Sequence, residues 1–491
     1  MPFCFRGKYK GEVMSEITNY KYYVGGQFVQ STSGNLIEII CPYDQSVIGR
    51  VQAISKEEAD VAIAATKAAQ KVWADTDLFK RADLLNKWAD QLEIDAEEIA
   101  QMIMREVGKT WNDAVKEVTR TAEFIRYTVQ EFIHTNDAAM SGANYPGGSK
   151  NKFAIIKRIP LGTVLAISPF NYPVNLSVAK LAPALIAGNA VVFKPATQGA
   201  ISAVKLIESF DKVGFPADIL QLITGKGSDI GDYVSEHDGI DMISFTGGAT
   251  TGRHLSSFST MKPMVLELGG KDPAIVCEDA DIDKTVSEIM SGAFSYSGQR
   301  CTAIKRVLVH ATVADELSEK LKVEVEKLSV GMPIDNPVIV PLINEGAADY
   351  VQGLITDTIA AGAELLVGNK REDNLIYPTL FDHVTTDMRL AWEEPFGPVL
   401  PIIRVASDDE AIEIANASEY GLQASVFTQN FSRAVAIAEK IEAGSVQING
   451  RTERGPDHFP FLGVKNSGMG VHGISRTIES MTREKLLIIN V

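Results

Sequence analysis

Over most of its length the chain alternates Ala- and Leu-rich stretches of helical periodicity with short runs of β-branched residues, and this alternation constrains the fold more than any other feature. Strands separated by helices pair in parallel and carry helices on both faces, so the expected class is α/β with doubly wound layers. Buried strands are expected at 164–168, 191–194, 243–246, 274–276, 307–309, 399–403 and 445–449. Ser55 with Glu58, Thr312 with Asp315 and Ser407 with Glu410 each read as a capping box opening a helix. Ligands of open α/β sheets bind beyond the carboxyl ends of strands, which directs the search for chemistry to the turns that follow these runs. At 491 residues the chain is too long for one core, since cores stop growing at roughly 250 to 300 residues. The Gly-, Ser- and Asn-rich stretch 138–150 reads as a linker or an excursion between regions.

A net charge of −16 works against general affinity for nucleic acid or anionic membranes, so an anionic substrate would need a local basic pocket. The four cysteines (Cys4, Cys41, Cys277, Cys301) show no paired spacing, which speaks against a disulfide framework or a zinc site and for a reducing, cytoplasmic setting. The longest apolar stretch, 181–193, is broken by Gly188 and Asn189 and is too short for a membrane span. Residues 1–13 lack the apolar segment of a signal peptide; they read as a tail, or Met14 is the natural start.

Three residues stand out chemically. Cys301 follows a helix-like run and has Arg300 beside it; a neighbouring cation or helix terminus would favour the nucleophilic thiolate, the alternative being an inert buried cysteine. Glu267 ends the apolar Met264-Val265-Leu266 and precedes two glycines, the setting of a general base with a raised pKa, or else of an ion pair with Lys271. Asn171, in Ser168-Pro169-Phe170-Asn171-Tyr172-Pro173, follows the first expected strand, where its amide could donate to an oxyanion or serve as turn chemistry. The turn 247–252, G-G-A-T-T-G, suits a phosphate at a helix N-terminus, but it lacks the Lys-Ser/Thr of a P-loop.

Together these stretches resemble the aldehyde dehydrogenase superfamily from about Tyr20 to the C-terminus. The resemblance is carried by S-P-F-N-Y-P around Asn171, K-P-A-T at 194–197, F-T-G at 245–247, E-L-G-G-K at 267–271, G-Q-R-C-T at 298–302 and E-E-P-F-G-P at 393–398. It implies that Cys301 attacks an aldehyde, that its backbone N–H and the Asn171 amide hold the oxyanion, and that Glu267 activates the water that hydrolyses the resulting thioester. For the cofactor it implies Lys194 on the adenosine ribose or its 2′-phosphate, Glu394 on the nicotinamide ribose, and Ser168, Asp232 and Gly247 along the rest of the site. Thr197 stands where relatives that prefer NAD often carry a glutamate, which favours NADP; Gly248 stands where many carry a serine.

Within the superfamily the chain is similar to the non-phosphorylating, NADP-using subgroup that acts on glyceraldehyde 3-phosphate. The resemblance then implies a substrate phosphate bound by Arg120, Tyr172, Arg300 and Arg454, with Gln299 beside them. It further implies a Rossmann-like cofactor domain (1–137 and 160–266), a catalytic domain (267–470) and a small β oligomerisation arm (138–159 and 471–491), in a homodimer or homotetramer. Another anionic aldehyde such as succinate semialdehyde is the rival substrate, and a catalytically silent binding protein on the same fold is the rival class.

Overall fold

The computed structural model describes residues 17–135, 137–257 and 261–491; the expectations for residues 1–13, Cys4 among them, lie outside the described residues. Two large sheets organise the chain. The centre of the first consists of β1 (Thr163–Ser168), β2 (Ala190–Pro195), β3 (Leu220–Leu222), β4 (Met242–Thr246) and β5 (Met264–Glu267), all parallel, in the spatial order β5-β4-β1-β2-β3. Gly468–Met469 closes the β5 edge in the antiparallel sense. Because β1 is flanked by β2 on one side and β4 on the other, the winding reverses between β1 and β4, and the crevice at their carboxyl ends is the topological switch point.

The second sheet is parallel through β6 (Pro273–Val276), β7 (Arg306–His310), β8 (Thr379–Asp382), β9 (Val399–Val405), β10 (Gln423–Phe427) and β11 (Ser445–Ile448), in the order β8-β9-β7-β6-β10-β11. Each of the seven expected runs forms a strand. For all but the edge strand β11, which is only partly buried, the reason is burial on both faces, which selects near-continuous Val, Ile and Leu in parallel strands. β3, β8 and β10 were not expected: Gln423-Ala424-Ser425 and Thr379 interrupt the apolar signal with polar residues that are nevertheless buried.

Four helices matter for the site: α1 (Trp111–Ile133), α2 (Asn175–Ile186), α3 (Ala249–Ser257) and α4 (Ile282–Phe294). Every residue of α2 is buried, so this helix is enclosed on all sides. The box at Ser55 and Glu58 forms in full, and Ser407 caps its helix through Glu410. The third expected start is corrected: the helix Ala311–Glu326 is capped by His310, whose ring accepts from Thr312 N–H, because β7 delivers the chain into that helix two residues earlier than the Thr312 signal implies.

A third, antiparallel sheet pairs Thr482–Asn490 with Lys152–Pro160 along their whole length, and Lys152–Pro160 with Ala138–Ser141. Among the described residues no helix is long and apolar enough to cross a membrane.

Candidate functional site

The carboxyl ends of the first sheet gather most of the singled-out residues. Ser168 ends β1, Lys194 lies at the end of β2, Gly247 follows β4 and Glu267 is the last residue of β5, in register with Thr246. After Glu267 the chain crosses through Leu268-Gly269-Gly270-Lys271 into β6, so this carboxylate stands where the two sheets meet.

Asn171 sits in the turn between β1 and α2. A buried carboxylate from α1 anchors that turn: Glu117 Oε1 accepts the backbone N–H groups of Val174 (2.9 Å) and Asn175 (3.0 Å), supplying partners for donors that a helix start otherwise leaves orphaned. Glu117 is itself paired with the buried Lys109, whose ammonium lies 3.7 Å from the centroid of the Tyr172 ring. Held this way, the Asn171 amide donates to the Gln299 carbonyl at 2.9 Å, two residues before Cys301. The second Nδ2 hydrogen of that amide can serve another acceptor.

Cys301 is presented by a strained turn at the end of α4. Tyr296 (φ 52°), Ser297 (φ 54°) and Gly298 (φ 70°) follow one another in the left-handed region, at a cost of roughly 1–2 kcal/mol for each non-glycine residue. The surroundings hold them there: Tyr296 OH donates to the Val107 carbonyl at 2.9 Å, and Ser297 Oγ donates to the Val340 carbonyl at 2.7 Å while accepting from Val340 N–H at 2.8 Å. Gly298 is obligatory, because a Cβ there would lie 2.5 Å from the carbonyl oxygen of Gly397 in the E-E-P-F-G-P segment.

The electrostatics of Cys301 correct the expectation of a ready thiolate. Burial, followed by the Glu267 carboxylate, pushes the thiol up to about 12, with Lys305 the leading opposing influence. Arg300 does not help, since its guanidinium turns away to cap the Ser291 and Gly292 carbonyls at the end of α4.

Glu267 is corrected in the opposite sense. Burial is the largest single influence and would raise its pKa, but the Arg454 guanidinium, His472, Lys180 and the Thr246 hydroxyl together outweigh it and hold the carboxyl at about 2. Arg454 Nη1 donates to Oε1 at 3.0 Å and to Oε2 at 3.1 Å, and the Thr246 hydroxyl donates to Oε2 at 3.2 Å. The ion pair is therefore with Arg454 and not with Lys271, whose buried ammonium has no hydrogen-bond partner among the described residues.

The structure brings two of the expected arginines together and separates a third. Arg120 donates from the Nε/Nη2 edge of its guanidinium to both Asp457 oxygens (3.0 and 2.9 Å) and reaches the Arg454 carbonyl at 3.5 Å, so Arg120 and Arg454 line one wall. Arg300, as described, points elsewhere. The Gln299 side chain is also committed to structure, its Oε1 accepting Ile343 N–H at 3.0 Å.

On the cofactor side, Lys194 is buried, its pKa lowered by burial to about 8 with Asp229 partly opposing, and its ammonium donates a long 3.4 Å bond to the Pro195 carbonyl. A buried cation so thinly satisfied suits a phosphate. Ser168 Oγ accepts from Ser177 Oγ at 2.8 Å, Thr197 is half-buried in the turn after β2, and exposed Asp232 meets His254 of α3 at 3.0 Å. Around Gly248 a Cβ would meet nothing within 4 Å, so the missing serine leaves open space at the N-terminus of α3. Glu394 accepts from Gly270 N–H at 3.2 Å and pairs with Lys305 at 3.0 Å; a Cβ on Gly269 would lie 2.1 Å from its Oε2, and one on Gly270 would lie 2.9 Å from the Leu422 Cβ.

Several residues of this site were not singled out from sequence. Lys180, at 0% exposure, donates to the Thr246 hydroxyl at 2.6 Å and is lowered by burial to about 7. A lone lysine inside an otherwise apolar helix was a usable signal for it. His472, lowered by burial to about 3, faces Glu267 Oε2 at 3.7 Å and has no local signature.

Comparison with known proteins agrees with this arrangement. The model of the aldehyde dehydrogenase family matches residues 28–487. The NADP-dependent glyceraldehyde-3-phosphate dehydrogenase of Streptococcus equinus is 52% identical over 472 residues, spanning 96% of this chain and 99% of that protein. The protein of the same name from Pisum sativum is 48% identical over 484 residues, spanning 98% and 97%. The crystal structure of NADP-dependent glyceraldehyde-3-phosphate dehydrogenase from Bacillus halodurans C-125 complexed with NADP superimposes with a TM-score of 0.95 at 54% identity, covering 96% of this chain and 99% of that one. From its sheet order, from the side chains gathered at Cys301 and from these likenesses, the chain belongs to the aldehyde dehydrogenase family.

Proposed function

We propose that this enzyme oxidises glyceraldehyde 3-phosphate to 3-phosphoglycerate with NADP+ as acceptor and without inorganic phosphate. The observation that carries the reading is the convergence of Cys301, Asn171 and Glu267 beside a wall bearing Arg120 and Arg454. Its specific substrate follows the names of the relatives.

In this reading the Cys301 thiol passes its proton to solvent water, its sulfur adds to the aldehyde carbon, and the carbonyl oxygen becomes an oxyanion held by Cys301 N–H and the Asn171 amide. NADP, when bound, would supply the hydride acceptor beside Cys301, and loss of hydride from the thiohemiacetal would leave a thioester on that sulfur. Lys194 would hold the adenosine end and its 2′-phosphate, with Thr197 adding a hydroxyl rather than a repelling carboxylate; Ser168, Gly247 and Asp232 would line the path, and Glu394 would orient the nicotinamide ribose. Glu267 would then take a proton from water as the water oxygen bonds to the thioester carbon, and the carbon–sulfur bond breaks to release the carboxylate. Arg120 and Arg454 would bind the substrate phosphate, a role their wall position supports; the placements of Arg300 and Gln299 support scaffolding of the Cys301 turn instead. The first sheet would serve as the cofactor domain, the second as the catalytic domain, and the antiparallel sheet with half-exposed Leu486, Leu487 and Ile488 as the arm that joins protomers.

The decisive assay follows NADP+ reduction in buffer free of inorganic phosphate, comparing glyceraldehyde 3-phosphate with succinate semialdehyde. Higher kcat/KM with the phosphorylated aldehyde is expected, and preference for the semialdehyde would transfer the assignment to a carboxylate-bearing substrate. Asn171→Ala should lower kcat by roughly 10²–10³-fold with KM for NADP+ unchanged, the usual loss for one oxyanion donor. A kcat within a few-fold of wild type would remove Asn171 from that role.

A further inference from the structure

We propose that Arg454 is a clamp on Glu267 which the substrate's own phosphate opens, so that the carboxylate becomes an effective base only when a phosphate-bearing acyl group is bound. This rests on the phosphorylated-aldehyde reading above and adds a coupling to it.

The clamp is visible in the geometry. One guanidinium nitrogen of Arg454 engages both carboxylate oxygens, at 3.0 and 3.1 Å, and Thr246 occupies Oε2 as well. A carboxylate held this way accepts a proton from water poorly, because protonation would sacrifice a buried, charge-assisted bond. The other groups facing Glu267 act in the same direction as the clamp, each more weakly than Arg454. Lys180 places its ammonium on the Thr246 hydroxyl, His472 lies 3.7 Å away, and the Cys301 sulfur carries no positive charge.

On its other side Arg454 borders a cavity of about 50 Å³ shared with Asp457, Phe459 and Phe461, next to the Arg120 that contacts its own carbonyl. An anion entering this cavity meets Arg454, with Arg120 held beside the lining by the Asp457 carboxylate. A phosphate dianion presents paired oxygens as a carboxylate does, but with twice the charge, and so competes for Arg454. Once the guanidinium shifts, the strongest opposition to burial is lost, and burial strengthens the hold of Glu267 on a proton against the weaker His472, Lys180 and Thr246. Glu267 then removes a proton from water while the water oxygen bonds to the thioester carbon; the sulfur departs with the bonding pair and the product acid releases its proton to solvent. No electrons change hands in this step. An aldehyde lacking the phosphate acylates Cys301 yet leaves the clamp shut.

The test uses the full-length enzyme with NADP+ and D-glyceraldehyde in phosphate-free buffer, read by stopped-flow absorbance of NADPH. A burst of one equivalent per site followed by a slow phase is expected. Inorganic phosphite should accelerate the slow phase by about tenfold or more while leaving the burst rate unchanged. It should also bring an acid limb into the pH profile of the slow phase, since a released Glu267 protonates at higher pH than a clamped one. Arg454→Ala should show a fast slow phase without phosphite and no response to it. Absence of the burst, or a wild-type slow phase indifferent to phosphite, overturns the clamp without recourse to any variant. Failure to oxidise glyceraldehyde 3-phosphate itself would instead overturn the substrate reading, so the two can fail separately.

Discussion

Glu267→Gln is expected to form one equivalent of NADPH per active site and then slow by roughly 10²–10⁴-fold, the contribution typical of a positioned general base. The amide keeps the shape of the side chain at the end of β5 but cannot accept a proton, so the acyl group should remain on Cys301. Stopped-flow absorbance would record the burst, and mass spectrometry of the quenched protein would find the mass of the acyl adduct. Steady turnover at the wild-type rate would remove Glu267 from water activation. Because the substitution leaves the Arg454 guanidinium, at 16% side-chain exposure, without its carboxylate, thermal unfolding should accompany the kinetics. A folded variant lacking the second turnover separates chemistry from stability.

Cys301→Ala is expected to lower turnover on the order of a million-fold, comparable to losing the nucleophile in other covalent enzymes, while binding of NADP+ followed by fluorescence is retained. The free enzyme's thiol carries a second signature. With the pKa pushed up to about 12 by burial and by Glu267, the thiolate fraction should climb about tenfold per pH unit. Alkylation of Cys301 by iodoacetamide in the absence of ligands should therefore rise from pH 7 to pH 10 without a plateau. A plateau below pH 8 would mean that a nearby cation, such as Lys305, outweighs burial and stabilises the thiolate.

Much of this site was legible one segment at a time. The turn after 164–168, the carboxylate ending 264–267 and the cysteine after the helix at 282–294 are each local patterns, and the strands and helix that deliver them formed where β-branched runs and helical periodicity placed them. Glycines 269 and 298 were visible as residues, yet their reason lies in distant partners, Glu394 and the Gly397 carbonyl. The capping signal at Thr312 failed for a similar cause: β7 fixed the entry into the next helix, and His310 took the cap.

What the amino-acid order determined by itself is the alternation of buried strands and helices, the location of Cys301, Glu267 and Asn171 at element ends, and the family to which those motifs belong. Such features depend on residues within a turn or two of each other, where backbone sterics and side-chain periodicity act. Only the tertiary structure decided the protonation of the site. Arg454, 187 residues from Glu267 in sequence, leads the groups that together reverse the shift burial would impose, and Arg300, adjacent to Cys301, turns its guanidinium to the Gly292 carbonyl instead. Charge and desolvation act through space, so the fold, and not the neighbour in the chain, selects which cation a buried acid meets.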